Sequence, residues 1–189
     1  VEFLRTLPPR ELRAGMGEVV KMAIAGDKEL FTFVEENISS ECYTNTDIMQ
    51  RIVLDSVRLK ADIVDRDECD KGVRRVLNLG HTIGHAIEKL THDYNHGEAV
   101  AIGIAMVCRV AVQRDMLCAD ESERIVKLLE HLGFATSTSI PIADIVREVK
   151  HDKKKSNNML RIVLPTQIGE CCIEERTFEE FEKLFSDYE

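Results

Sequence analysis

The segment from Gly97 to Leu117 sets the terms for the fold, because it is apolar on every side. Ala99, Val100, Ile102, Ile104, Ala105, Met106, Val107, Val110 and Ala111 all fall within it. A surface helix shows a single apolar stripe, whereas a helix that is apolar all round has to be buried. The run lacks the roughly 20 uninterrupted apolar residues that span a bilayer. It is therefore expected as the buried central helix, with other elements wrapped around it and Cys108 acting there as a small hydrophobe.

The remaining elements read mostly as helices. After the Pro8-Pro9 break, Leu12, Met16, Val19, Val20, Ala23 and Ile24 give helical spacing from Arg10 to Ala25. Gly15 and Gly17 each cost roughly 1 kcal/mol there relative to alanine, so both are expected to pack closely against another element or a bound group near Glu18. Asp27 caps a short helix through Val34, and Ser39 to Thr46 reads as a polar connection. Asp47 to Asp65 forms a long amphipathic helix. Arg66 to Val73 reads as a loop. Asn78 and Gly80 open a further helix with Thr82 in its first turn, and Leu90 to Asn95 is a second loop.

Ala119 to Leu132 is amphipathic, ended by Gly133, and Ile142 to Lys150 is a short helix. Leu160–Pro165 and Gly169–Glu174 alternate as a small hairpin. Thr177, with Glu180 at the capping-box position, starts a last helix running to Tyr188. The expected fold class is mainly α, a multi-helix domain with a small β-hairpin near the C-terminus. The sequence has no βαβ alternation, no internal repeat and no GxGxxG loop after a strand.

The chain has 189 residues, enough for one sizeable domain. It opens at Val1 without methionine, and is read as a domain of a longer protein with a segment expected upstream. A net charge of −9 argues against a general nucleic-acid surface, though it leaves room for a local basic pocket. With no signal peptide and no CxxC pair among six cysteines, a reduced, cytoplasmic setting is expected, without membrane or nucleic-acid partners.

Within Leu77-Asn78-Leu79-Gly80-His81-Thr82-Ile83-Gly84-His85-Ala86-Ile87-Glu88, His81 and His85 stand four apart and share one helix face. His96 follows in Asn95-His96-Gly97-Glu98. A catalytic divalent site takes three protein ligands and keeps a position open, and Glu18, His81 and His96 form a set of suitable type. Spacing alone leaves open whether they converge or simply make polar helix faces. Lys60 reads equally as a solvated surface lysine. His92, His131, Lys28 and Lys127 read as surface groups. Glu98 reads as a cap of the buried helix or as the group orienting His96.

The chain resembles the C-terminal domain of the 3-dehydroquinate synthase family. The resemblance rests on Leu7–Glu11, Ala14–Lys21, Lys60–Val64, Asp67-Glu68, Gly72–Arg74, Leu77–Glu88, His96–Gly103 and Asp152–Lys154, in the family's order along nearly the whole chain. It implies that Glu18, His81 and His96 bind a divalent metal, zinc or cobalt. It implies that Lys21, Lys60, Arg74, Asn78, His85 and the Lys153-Lys154 pair surround the substrate, with Lys155 an alternative to either. His85, Lys60, Asn78 and Arg74 would also serve catalysis, His85 in proton relay or phosphate contact. Asp70 stands where the family often has glutamate.

The implied substrate is a seven-carbon phosphorylated keto acid, and the products are 3-dehydroquinate and phosphate, in the shikimate pathway to chorismate and the aromatic amino acids. The implied course is transient oxidation by NAD, β-elimination of phosphate, reduction and intramolecular aldol closure, in a homodimeric enzyme. An N-terminal domain outside this chain would carry most of the NAD site, so the chain alone is expected to be inactive. A doubly anionic substrate suits this cation set, since arginine grips oxyanions in bidentate fashion and lysine acts as a point charge. The alternatives are another sugar phosphate cyclase, disfavoured by Asn78 and His85; an iron-type polyol dehydrogenase domain, disfavoured by Lys60, Arg74 and the Asp-Lys-Lys stretch; and a non-catalytic helical assembly module.

Overall fold

A computed structural model describes residues 1–37, 43, 45–152 and 159–186. After a short 3-10 turn at Glu2–Thr6 come α1 (Pro9–Gly26), α2 (Lys28–Asn37) and α3 (Thr46–Arg66). A 3-10 helix at Val73–Asn78 leads into α4 (His81–Leu90), α5 (His96–Gln113), α6 (Ala119–His131) and α7 (Ile142–Asp152). Strands β1 (Met159–Gln167) and β2 (Glu170–Thr177) form the hairpin, and α8 (Phe178–Leu184) follows. The described residues are mainly helical with one antiparallel pair, as the sequence patterning predicts.

α5 is the centre. Every residue from 99 to 108 is buried, and α1, α4, α6 and β1 cover the helix. By length and apolarity alone α5 could cross a membrane, yet its apolar faces are taken up by the interior of its own fold. β1 turns Leu160, Ile162, Val163 and Leu164 inward, with Val163 opposite Ile173 and Leu164 opposite Cys172. Pairing is irregular between Pro165 and Gln167, before a turn in which Gly169 adopts a φ of +94°.

The expected caps are present. Asp27 Oδ1 accepts from Leu30 N at 2.9 Å, and Thr177 and Glu180 form a reciprocal capping box. The last helix is described only to Leu184, short of the expected Tyr188, which lies outside the described residues together with most of the Ser39–Thr46 connection.

Three details differ from the sequence reading. The stretch before His81 is a 3-10 helix from Val73 rather than a simple lead-in. Asn45 caps α3, its side chain accepting from Asp47 N and Ile48 N. Of the two glycines in α1, only Gly17 is packed: a Cβ there would lie 2.9 Å from Phe134 Cζ and 3.3 Å from the Gly97 carbonyl oxygen. Gly15 faces open space.

A candidate metal centre and its cavity

Glycines bring the site's elements together. Gly97 lies so close to α1 that a Cβ on it would come within 2.6 Å of Ala14 Cα, seating the start of α5 against the helix that carries Glu18. α4 meets α5 through Gly80, Gly84 and Gly103. A Cβ on Gly84 would lie 3.1 Å from Val100 Cα, and one on Gly103 would land on the Gly80 carbonyl oxygen. Gly80 sits in the left-handed region at φ +76°, which suits a residue without a Cβ, and it makes His81 the first residue of α4. His96 is likewise the first residue of α5. Its entry is fixed by a capping box in which Asn95 Oδ1 accepts from Glu98 N and the Glu98 carboxylate accepts from Asn95 N.

Glu98 is locked further by α1. Arg10 donates Nε to its carboxylate at 3.0 Å, and Arg13 adds a donor at 3.3 Å. The Arg10 hydrogen bond holds the Glu98 carboxyl down to about 2, from an ordinary 4.5. A carboxylate depressed in the folded state contributes stability that is present above its unfolded pKa and lost as pH falls through the folded one. Urea midpoints should therefore drop as pH falls from about 4.5 towards 2, over and above the other carboxylates. Arg10→Ala should shrink that component, and an acid limb identical to wild type would show that the pair adds nothing.

Glu18, His81 and His96 converge. Glu18 Oε1 lies 3.9 Å from His81 Nε2 and 3.7 Å from His96 Nε2, and the three donor atoms are mutually within 4.8 Å. That oxygen is buried and has no hydrogen-bond partner, while Oε2 accepts from Lys21 Nζ at 2.7 Å. A buried orphan oxygen facing two imidazole nitrogens is the feature a divalent cation would satisfy. Both rings are aimed for it. His81 Nδ1 stands 3.2 Å from the Leu79 carbonyl, an acceptor only, so that nitrogen carries the proton and Nε2 keeps its lone pair. His96 Nδ1 is 3.1 Å from Glu88 Oε2.

Charge favours the ligand forms. Burial, reinforced by the Lys21 ammonium, holds His81 down to about 4, leaving it neutral at pH 7. Burial raises Glu18, but the attraction and hydrogen bond of Lys21 outweigh it and keep the carboxylate ionised. Lys21 is only 5% exposed. Burial lowers its pKa, opposed by Glu18 and aided by the charge of Lys60.

Beside the triad lies a cavity of about 410 Å³ between α4, the 3-10 helix and the hairpin. Asn78, His81 and His85 line it with Arg75, Lys89 and Arg161, while Asp70 and Glu148 add acidic groups. Asp67 shapes the loop leading here by accepting from Lys71 N, Gly72 N and Arg74 N at 3.0, 2.7 and 3.1 Å. The Arg74 guanidinium turns to the Glu68 carbonyl at 3.1 Å, and Arg75 forms the wall instead. Lys60 is exposed on α3, outside the cavity wall but near enough to Lys21 to lower its pKa.

Lys153, Lys154 and Lys155 lie outside the described residues. Glu98 caps α5 rather than orienting His96; Glu88 stands on that ring. Glu88, Arg75, Lys89 and Arg161 are the site groups that sequence reasoning did not single out. For Glu88 a signal existed, since it lies on α4 three residues after His85 and so shares its face.

Residues 15–155 match a family model described as 3-dehydroquinate synthase C-terminal. A 3-dehydroquinate synthase of Picosynechococcus sp. is 41% identical over 176 residues, covering 90% of this chain and 48% of that protein. One from Pelotomaculum thermopropionicum is 38% identical over 177 residues, with 92% and 48% covered. The chain thus spans about half the length of the curated relatives it matches. Among solved structures, the 2-epi-5-epi-valiolone synthase ValA of Streptomyces hygroscopicus, with NAD+ and Zn2+ bound, superposes with a TM-score of 0.85 at 25% identity. That match covers 97% of this chain and 52% of the other. A 2-deoxy-scyllo-inosose synthase complexed with carbaglucose-6-phosphate, NAD+ and Co2+ shares the fold at a TM-score of 0.79 and 21% identity, covering 95% and 53%.

Proposed function

The chain belongs to the 3-dehydroquinate synthase C-terminal family, and from that premise we propose that it is the metal- and substrate-binding half of a 3-dehydroquinate synthase. The reaction is conversion of a seven-carbon phosphorylated keto acid to 3-dehydroquinate and phosphate. The observation that carries the reading is the convergence of Glu18, His81 and His96 around a buried, unpartnered carboxylate oxygen. These three residues would hold zinc or cobalt, and the bound ion would supply Lewis-acid polarisation of a substrate hydroxyl and its derived ketone. The described residues contain no glycine-rich strand-to-helix turn of the kind that seats a dinucleotide, so the NAD reading rests on the likeness to NAD-bound neighbours.

The chain's own side chains have separable tasks. Lys21 holds the Glu18 carboxylate ionised and aimed. Asn78 and His85 face the cavity, where His85 can take or give a proton at a ring nitrogen. For a substrate with one carboxylate and one phosphate, Arg75 offers a cation in the cavity wall and Lys60 one beside Lys21, while Arg161 and Lys89 in the wall are paired with Glu175 and Glu148 and would have to exchange those partners for substrate. Relatives near 40% identity favour dehydroquinate formation over the products of the structurally similar cyclases.

The test is phosphate release from the seven-carbon keto acid phosphate by the full-length protein with NAD and zinc. Release is expected there, and none from the 189-residue chain alone. Full activity on other sugar phosphates with none on the keto acid would sink the substrate assignment.

A further inference from the structure

The two histidines of the triad are held in different ways. His81 has a side chain only 14% exposed, packed by its surroundings, with a backbone carbonyl on Nδ1. The His96 side chain is 46% exposed and meets the rings of His81 and His85 on one side only. The partner on its Nδ1 is the carboxylate of Glu88, at 3.1 Å. A carboxylate accepts, so it places the proton on Nδ1 and the lone pair on Nε2, the nitrogen that faces Glu18 Oε1 at 3.7 Å.

We propose that Glu88 is the positioning residue of the metal centre, fixing the tautomer and aim of His96 so that one helix supplies both a ligand and the support of the next. Glu88 follows His81 on α4 by two helical turns, so the first turn of α5 is tied to α4 across the loop between them. This rests on the metal reading above.

The full-length protein, freed of metal, is titrated with zinc against a chromophoric chelator near neutral pH. Glu88→Ala should weaken zinc binding by about 10- to 100-fold. Glu88→Gln keeps an acceptor but not the charge, and should fall between. With cobalt, the d–d absorption of Glu88→Ala should change in shape as the His96 ring loses its fixed aim. Thermal midpoints of the metal-free proteins should agree, and Glu88→Leu, which restores apolar volume, replaces the alanine variant if that one unfolds. Affinity within twofold of wild type in the folded variants overturns the proposal. So does a second equivalent of zinc in wild type that disappears with Glu88, because the carboxylate would then be a ligand itself. A wild-type protein that binds no zinc would sink the metal reading instead, which keeps the two failures apart.

Discussion

Glu18→Ala should abolish tight zinc binding and also lower the stability of the metal-free protein by roughly 3 kcal/mol, the scale for stranding one member of a buried ion pair. The two losses have separate causes. Oε1 faces the imidazoles, and its removal takes one of three donors from the site. Oε2 accepts from Lys21, a residue only 5% exposed, whose ammonium would lose its counter-charge. Glu18→Gln separates these effects. Its amide oxygen can still accept from Lys21, so much of the stability should return, while zinc affinity stays lost because a neutral amide is a poor ligand. Urea unfolding of the apo proteins and chelator competition measure the two arms. Glu18→Ala protein with undiminished zinc affinity would exclude Glu18 as a ligand.

The second large effect lies away from any charge. Gly103→Ala should destabilise by about 3 kcal/mol, the upper end for an overpacked core, because the new methyl group meets backbone rather than a yielding side chain. Its obstacle is the Gly80 carbonyl, one residue before His81, so relief of the clash should also displace that proposed ligand. Zinc affinity should fall with stability. Gly15→Ala is the contrasting case. With nothing within 4 Å of the added carbon, it should stabilise α1 by about 0.5–1 kcal/mol. Equal unfolding midpoints for the two variants would mean that the α4–α5 contact is softer than it looks.

What the sequence made legible was governed by local rules. The all-round apolarity of α5 foretold its burial, and Asp27, Thr177 and Glu180 announced caps through side-chain chemistry that acts within three residues. Where spacing misled or stayed silent, the answer depended on distant partners. Gly15 and Gly17 look alike in sequence, but helical geometry points them about 160° apart, and only one meets Phe134 and α5. Arg74 and Arg75 are adjacent on a 3-10 helix, so roughly 120° separates their side chains. Arg75 lines the cavity, while Arg74 donates its backbone N–H to Asp67 and its guanidinium to the Glu68 carbonyl. The ligand triad was named through family resemblance, since spacing could not bring Glu18 to residues more than sixty positions away. Glu88 was present in the matched motif, but its contact with His96 forms only when α5 folds back beside α4.

The glycine contacts of α4 have a mechanical consequence. Gly80 against Gly103 and Gly84 against Val100 bring the backbones of α4 and α5 into direct contact at the first turn of α4. Further along, Ile83, Ala86 and Ile87 are buried, and α7 packs on the same helix. α4 is thus clamped along its ten residues, about 15 Å, and works as a rigid spacer that fixes the distance between His81 and Glu88.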